Sequence, residues 1–236
     1  MARGSRVDET VDALLRAVVS GEFSTDRPLP SQGELAASLS VSRLTVREAV
    51  KELKSGNILR VEHGNGTFVN TPGAWTDLDA LAQMSRAGTD GLKTSQSLIE
   101  VRRIIEVGAA ELCATRRTAQ DVAALRHHVQ AMTEARDTSD VDAFVHHDLA
   151  FHATVLRGCA NPFLAAVYDP LQKVLLRARN ETSAFPAIRD NAVEHHRRIL
   201  AAIADRAPGR ARAAMDAHIE QTSRDLADYV GGLAEA

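Results

Sequence analysis

Hydrophobic residues recur along the first part of this chain in two rhythms. Val7, Val11, Leu14, Leu15 and Val18 repeat at helical spacing. Leu35, Ala36 and Leu39 give a second, shorter helix an apolar face, and Ser31 followed by Glu34 has the spacing of the capping box that opens it. After a serine-rich turn around Ser38 and Ser40, Val46, Ala49, Val50 and Leu53 form the inward face of a third helix that Ser42 can cap. The period then shortens. Ile58 to Val61 and Thr67 to Val69 alternate as strands around His63-Gly64-Asn65-Gly66, a glycine-rich hairpin tip. The pattern predicts helix, tight turn, helix and a two-stranded wing.

Asn70 to Trp75 breaks both periodicities and reads as a linker. Beyond it only the helical period remains, in stretches over about 77–87, 94–116, 118–137, 139–159, 161–183, 186–205 and 207–230. Asn161-Pro162 supplies a cap and a first-turn proline, Pro208-Gly209 a turn, and Pro170 a kink inside a helix. The expected fold is mainly α: a winged helix-turn-helix over residues 1–70, a linker over 71–76, and an all-α antiparallel helical bundle over 77–236.

Charge changes the picture only where it is local. The chain of 236 residues has a net charge of −3, which does not advertise a polyanion partner. On the third helix, however, Arg43, Arg47, Lys51 and Lys54 fall in one stripe, roughly a quarter turn from the apolar face at about 100° per residue. One edge can pack while the next offers cations to a DNA major groove. A weakly charged reader of this kind needs two copies on a palindromic double-stranded operator, so a homodimer is expected. A 44% hydrophobic chain supports a substantial core, but no run reaches the ~18 apolar residues of a membrane span. The first residues carry charges and no small-residue cleavage signal, so no secretory leader is expected. Two cysteines, Cys113 and Cys159, without Cys-x-x-Cys spacing fit a reduced cytoplasm.

Three histidines point where histidine is costly. His152 is in phase with Leu149, Val155, Leu156 and Cys159, and Asp148 lies one turn earlier on that side. His196 is in phase with Ile199, Leu200 and Ile203, and His218 with Met215, Ile219, Thr222 and Leu226. Inward imidazoles and a carboxylate on three helices are expensive to bury without partners, and a shared divalent metal removes that cost. Zinc or nickel suits such nitrogen and oxygen donors. His127, His128, His146, His147 and His195 are expected at the surface.

The segment LPSQGELAASLSVSRLTVREAVKELKSGNI, followed by HGNGTFV, resembles the winged helix-turn-helix of GntR-family bacterial transcription regulators. The resemblance implies DNA contacts at Ser42, Arg43, Thr45, Arg47 and the wing tip, His63 and Gly64. The chain departs from the family at Gln32-Gly33, where Glu-Arg is usual, at Ser40, where glycine is frequent, and at Leu44, where threonine or proline is common. Residues 77–230 resemble the FCD ligand-binding domain of the FadR-type branch, through DLAFH, EHHRRILAAI and AAMDAHI. That resemblance implies metal ligands at Asp148, His152, His196 and His218, and an effector-binding arginine at Arg102 in EVRRIIEVGAAELCA. The alternative for Arg102 is an ion pair with Glu106 one turn on. The start of the second domain, Trp75 to Asp79, is similar to relatives that sense sugar acids.

The expected function is a ligand-responsive regulator, in the usual sense a repressor, whose helical domain binds a divalent metal and a small organic acid. A metal-sensing repressor without an organic effector shares nearly the same features. A helical metalloenzyme is the third possibility, disfavoured because neither Glu-x-x-His of the di-iron type nor His-Glu-x-x-His is present.

Overall fold

Reciprocal caps open several helices of the computed structural model, which describes residues 5–87 and 91–230. Ser5 Oγ accepts from the Asp8 amide while Asp8 accepts from the Ser5 amide at 2.8 Å, starting helix α1 (Arg6–Val19). Ser31 and Glu34 do the same for α2 (Gln32–Ser38), as the capping box in the sequence predicts. Ser42 caps α3 (Arg43–Ser55) by accepting from the Thr45 amide at 3.0 Å. The turn between α2 and α3 passes through Ser40 at φ +54°, a left-handed conformation that explains why glycine is at home there.

Strands β1 (Leu59–Glu62) and β2 (Gly66–Val69) pair antiparallel, with Leu59 opposite Val69 and Glu62 opposite Gly66. The wing hairpin is tied back to the helices by the Leu29 amide, which donates to the Thr67 carbonyl at 2.7 Å. The core of this unit joins Leu14, Leu15 and Val18 of α1 to Leu35 of α2, to Val46, Ala49, Val50 and Leu53 of α3, and to Leu59 and Val69 of the wing. Each fully buried aliphatic side chain of this kind contributes about 1.5–3 kcal/mol of burial free energy. Trp75 and Ala80 are buried in the same core, and the Trp75 indole N–H donates to the Asn70 carbonyl at 2.9 Å. Helix α4 (Leu78–Ala87) packs on α1, so this compact unit runs to Gly91.

From Leu92 onward the second unit is a helical bundle. It is built from α5 (Gly91–Arg116), α6 (Ala119–Asp137), α7 (Val141–Gly158), α8 (Pro162–Thr182), α9 (Pro186–Ala204) and α10 (Pro208–Asp225). These bounds follow the helical periods in the sequence, and α8 continues through Pro170. Helix α6 packs on both α7 and α9, α7 on α8, and α9 on α10. The bundle core includes Leu125, Met132, Phe144, Phe151, Leu156, Ile199, Ile203 and Met215. That packing fixes the inward faces of α7, α9 and α10 against each other, which is where the histidines lie. No described helix is long and apolar enough to cross a membrane.

Candidate metal centre and DNA-facing helix

Helical phase delivers the three histidines to one point. His152 on α7, His196 on α9 and His218 on α10 are all buried, and one ring nitrogen of each lies within 4.8 Å of the others. The rings of His196 and His218 are 4.6 Å apart, and those of His152 and His196 5.1 Å. Asp148, one turn before His152, brings Oδ1 to 3.1 Å from His196 Nε2 and 3.9 Å from His152 Nε2. It therefore stands at the rim of the triad, and its other oxygen is taken by Arg179 of α8.

The donor set fits a metal. His196 Nδ1–H donates to the Ala192 carbonyl at 2.6 Å, which leaves Nε2 to carry the lone pair. His152 Nδ1 stands 2.7 Å from Glu106 Oε2, which likewise frees its Nε2. The Nε2 atoms of His152, His196 and His218 are buried without a hydrogen-bond partner. Burial, and then the neighbouring imidazoles, hold His196 and His218 well below the ordinary histidine range, so both stay neutral and able to ligate. Three buried lone pairs aimed at a shared space would cost several kcal/mol in total, at about 1–3 kcal/mol each, without something to bind. The triad could hold a metal ion.

Behind it lies a charged group that the sequence showed only in part. Arg102 is 3% exposed and makes the ion pair that its spacing to Glu106 allows, with Nε donating to Oε1 at 2.8 Å. Tyr168 O–H donates to the same oxygen at 2.6 Å. Glu106 is fully buried, which works to raise its pKa, yet Arg102 and His152 hold it well below the carboxylate range. Glu106 thus orients His152, anchors Arg102 and accepts from Tyr168 at once.

Arg179 is the residue that sequence reasoning missed. Its Nε and Nη2 are buried without hydrogen-bond partners, while Nη1 meets Asp148. Burial, and then the nearby Arg102 cation, push its pKa well below the arginine value. The signal was available: Tyr168, Leu171, Leu175 and Arg179 share one helical stripe, and the first three are buried. His195, expected at the surface, is half-buried, with its ring 5.9 Å from that of His218. His127, His128 and His147 are not scattered over the surface but gathered, as described below.

In the first unit, Arg43, Arg47, Lys51 and Lys54 are all exposed along α3, while Val46, Ala49, Val50 and Leu53 are buried. Ser42 Oγ and Thr45 Oγ1 are 2.8 Å apart at the start of the helix, and His63 and Gly64 are exposed at the tip of the wing. Gly33 leaves the space into which Arg43 leans: a β-carbon there would lie 3.2 Å from Arg43 Nη2. Leu44 projects beside these cations and is 57% exposed.

Comparison with known proteins agrees with both halves. Residues 6–69 match the model of bacterial regulatory proteins of the gntR family, and residues 97–221 match the FCD domain. The chain is 28% identical over 218 residues to the HTH-type transcriptional regulator LutR of Bacillus subtilis (strain 168), covering 90% of this chain and 97% of that protein. It is 26% identical over 219 residues to the transcriptional repressor NanR of Klebsiella aerogenes, covering 92% and 82%. Among solved structures, Streptococcus agalactiae GntR is 30% identical, with a TM-score of 0.50 over 92% of this chain and 99% of that one. Lar of Listeria monocytogenes, at 17% identity, shares the fold with a TM-score of 0.67 over 97% of this chain and 100% of that one. With a reading helix and wing in one unit and an FCD bundle in the other, the chain belongs to the GntR family of bacterial transcription regulators, in its FadR-type branch, and is a DNA-binding regulator and not an enzyme.

Proposed function

We propose that this protein is a repressor whose helical bundle holds a divalent metal and a small organic acid, and whose affinity for a palindromic operator changes when the acid binds. Residues 1–70 read DNA, Trp75 and α4 extend that unit to Gly91 where a linker was expected at 71–76, and the bundle from Leu92 onward carries the sensor and the dimer contact. Ser42, Arg43, Thr45, Arg47, His63 and Gly64 face the duplex, the arginines pairing with phosphates or guanine edges. His152, His196 and His218 hold the ion, zinc or nickel, with Asp148 as the oxygen donor. When bound, the ion supplies a Lewis-acidic centre for a carboxylate oxygen.

The observation that carries the reading is the unpaired side of Arg179 beside the three free Nε2 atoms. Two buried guanidinium groups, Arg102 and Arg179, repel each other there, and an acid's carboxylate offsets that repulsion with charge-assisted hydrogen bonds. Arg102 is positioned by Glu106, and Arg179 exchanges Asp148 for the ligand. A sugar acid or another hydroxy acid fits, since it offers a carboxylate and an adjacent hydroxyl. The acid alters DNA binding only through a difference in its affinity for the two arrangements of the dimer. Dimerisation has its own support: Ile104 on α5 and Phe163 on α8 are each 80% exposed, and Val101 and Val167 extend these apolar faces.

The test combines fluorescence anisotropy on the DNA upstream of the gene with calorimetry of metal-loaded protein against small hydroxy and sugar acids. Site-specific binding that is lost with Arg43→Ala and Arg47→Ala, and weakened by one acid, is expected. Absence of any site-specific binding defeats the proposal. The pairing of Arg102 with Glu106 and of Arg179 Nη1 with Asp148 favours a second reading, in which these carboxylates already balance both charges and the metal alone is the signal. In that case DNA binding responds to zinc or nickel, and no acid in the panel gives a heat of binding.

A further inference from the structure

Four histidines outside the buried triad meet on the outer side of the α6–α7 pair. His127 and His128 lie on α6, His146 and His147 on α7. One ring nitrogen from each of His127, His128 and His147 lies within 4.8 Å of the others, with His127 exposed and the other two partly so. The Nδ1 atoms of His128 and His147 are 3.3 Å apart. Two nitrogens bound at ~2.0–2.1 Å in a tetrahedral zinc site stand ~3.3–3.4 Å apart, so this pair already has the edge length of such a site. The ring of His127 stands edge-on to that of His147 at 5.5 Å, with one nitrogen within 4.8 Å of those of the other two. His146, with its ring 5.1 Å from that of His147, is a reserve donor.

We propose that His127, His128 and His147 form a second divalent-metal site, open to solvent and separate from the buried triad, that takes a borderline ion such as Zn2+, Ni2+ or Cu2+. A hydrogen bond between His128 and His147 explains one nitrogen pair but gives no reason for a third imidazole at the same place. Water fills the remaining coordination positions, so the ion exchanges freely and binds more weakly than in the buried centre. Its structural effect is to pin α6 to α7, the helix that also carries Asp148 and His152.

The test uses the full-length chain stripped by a chelator and titrated with Ni2+, read by calorimetry and by native mass spectrometry. The unaltered protein takes two ions per chain, one tight and one weaker. His127→Gln with His128→Gln, both on the α6 surface, removes the weaker ion and keeps the tight one. His152→Ala with His218→Ala removes the tight ion and keeps the weaker, so failure of one site is distinguished from failure of the other. A circular dichroism spectrum and melting curve of each stripped variant establish that it is folded. If the His127→Gln, His128→Gln variant binds the same number of ions with the same affinities as the unaltered protein, the surface site does not exist.

Discussion

His152 Nδ1 stands 2.7 Å from Glu106 Oε2, and the other oxygen of that carboxylate accepts from Arg102 and Tyr168. One buried anion therefore sets the orientation of an imidazole of the candidate metal centre and of the cation behind it. Glu106→Gln keeps the volume but loses the charge, and its single carbonyl oxygen cannot serve His152, Arg102 and Tyr168 together. Loss of such a supporting carboxylate lowers metal affinity by about 10–100-fold. Competition with a zinc-sensitive chelator measures this directly. An unchanged affinity would mean that Glu106 serves packing alone.

Metal removal has a sign that follows from the unpartnered Nε2 atoms of the triad. An ion that binds only the folded bundle adds about 2.7 kcal/mol at a hundredfold excess over its dissociation constant. For a unit of this size, that corresponds to a fall in melting temperature of roughly 5–10 °C on chelation. Most of the fall should be lost in His218→Ala, leaving only the smaller response of the weaker surface site. A chelator-insensitive melt of the unaltered protein, after prior loading with zinc, contradicts the metal centre.

Much of this arrangement was legible in the sequence because helical phase is a local property. His152, His196 and His218 each keep step with aliphatic neighbours, and three inward stripes on three packed helices must converge. The capping serines and the exposed cations of α3 were legible for the same reason. What periodicity cannot carry is the identity of partners across helices. Glu106 reaches His152 and Tyr168 over separations that no helical wheel displays, and Arg179 was lost because an arginine on an apolar stripe is easily read as a surface residue. The grouping of the surface histidines was hidden for another reason. Adjacent residues such as His127 and His128 diverge on one helix, but a facing helix can gather their ring nitrogens again.

Leu44 sets an expectation for operator reading. It is 57% exposed in the first turn of α3, between Arg43 and the Thr45 hydroxyl. A bare leucine in the first turn of such a helix would meet the thymine methyl group, the apolar feature of the major groove, if that turn enters the groove. Leu44→Ala should weaken specific binding by roughly 1–2 kcal/mol, at about 0.8 kcal/mol per CH2 returned to water, while leaving the salt dependence unchanged, since no phosphate contact is lost. Replacing the contacted thymine by uracil in the operator should reproduce the loss, and combining both changes should add little. A reduced salt slope for Leu44→Ala would place the side chain's effect on the backbone contacts instead.

Gly158 closes α7 against the bundle core, and a β-carbon there would lie 2.6 Å from Cys113 Sγ. Both residues are buried, and burial pushes the Cys113 thiol up to about 12, so it offers no thiolate to move toward solvent. Gly158→Ala therefore overpacks the site and should destabilise the bundle by about 1–3 kcal/mol despite the better helix propensity of alanine. Cys113→Ala removes the opposing sulfur and leaves a small void, with a modest cost of its own. Combined, the two substitutions should recover most of the Gly158→Ala loss, because the new methyl occupies the space the sulfur vacates. Urea unfolding midpoints of the two single variants and the double variant, followed by circular dichroism, decide the matter. Strict additivity would show that the strain of Gly158→Ala is relieved elsewhere than against Cys113.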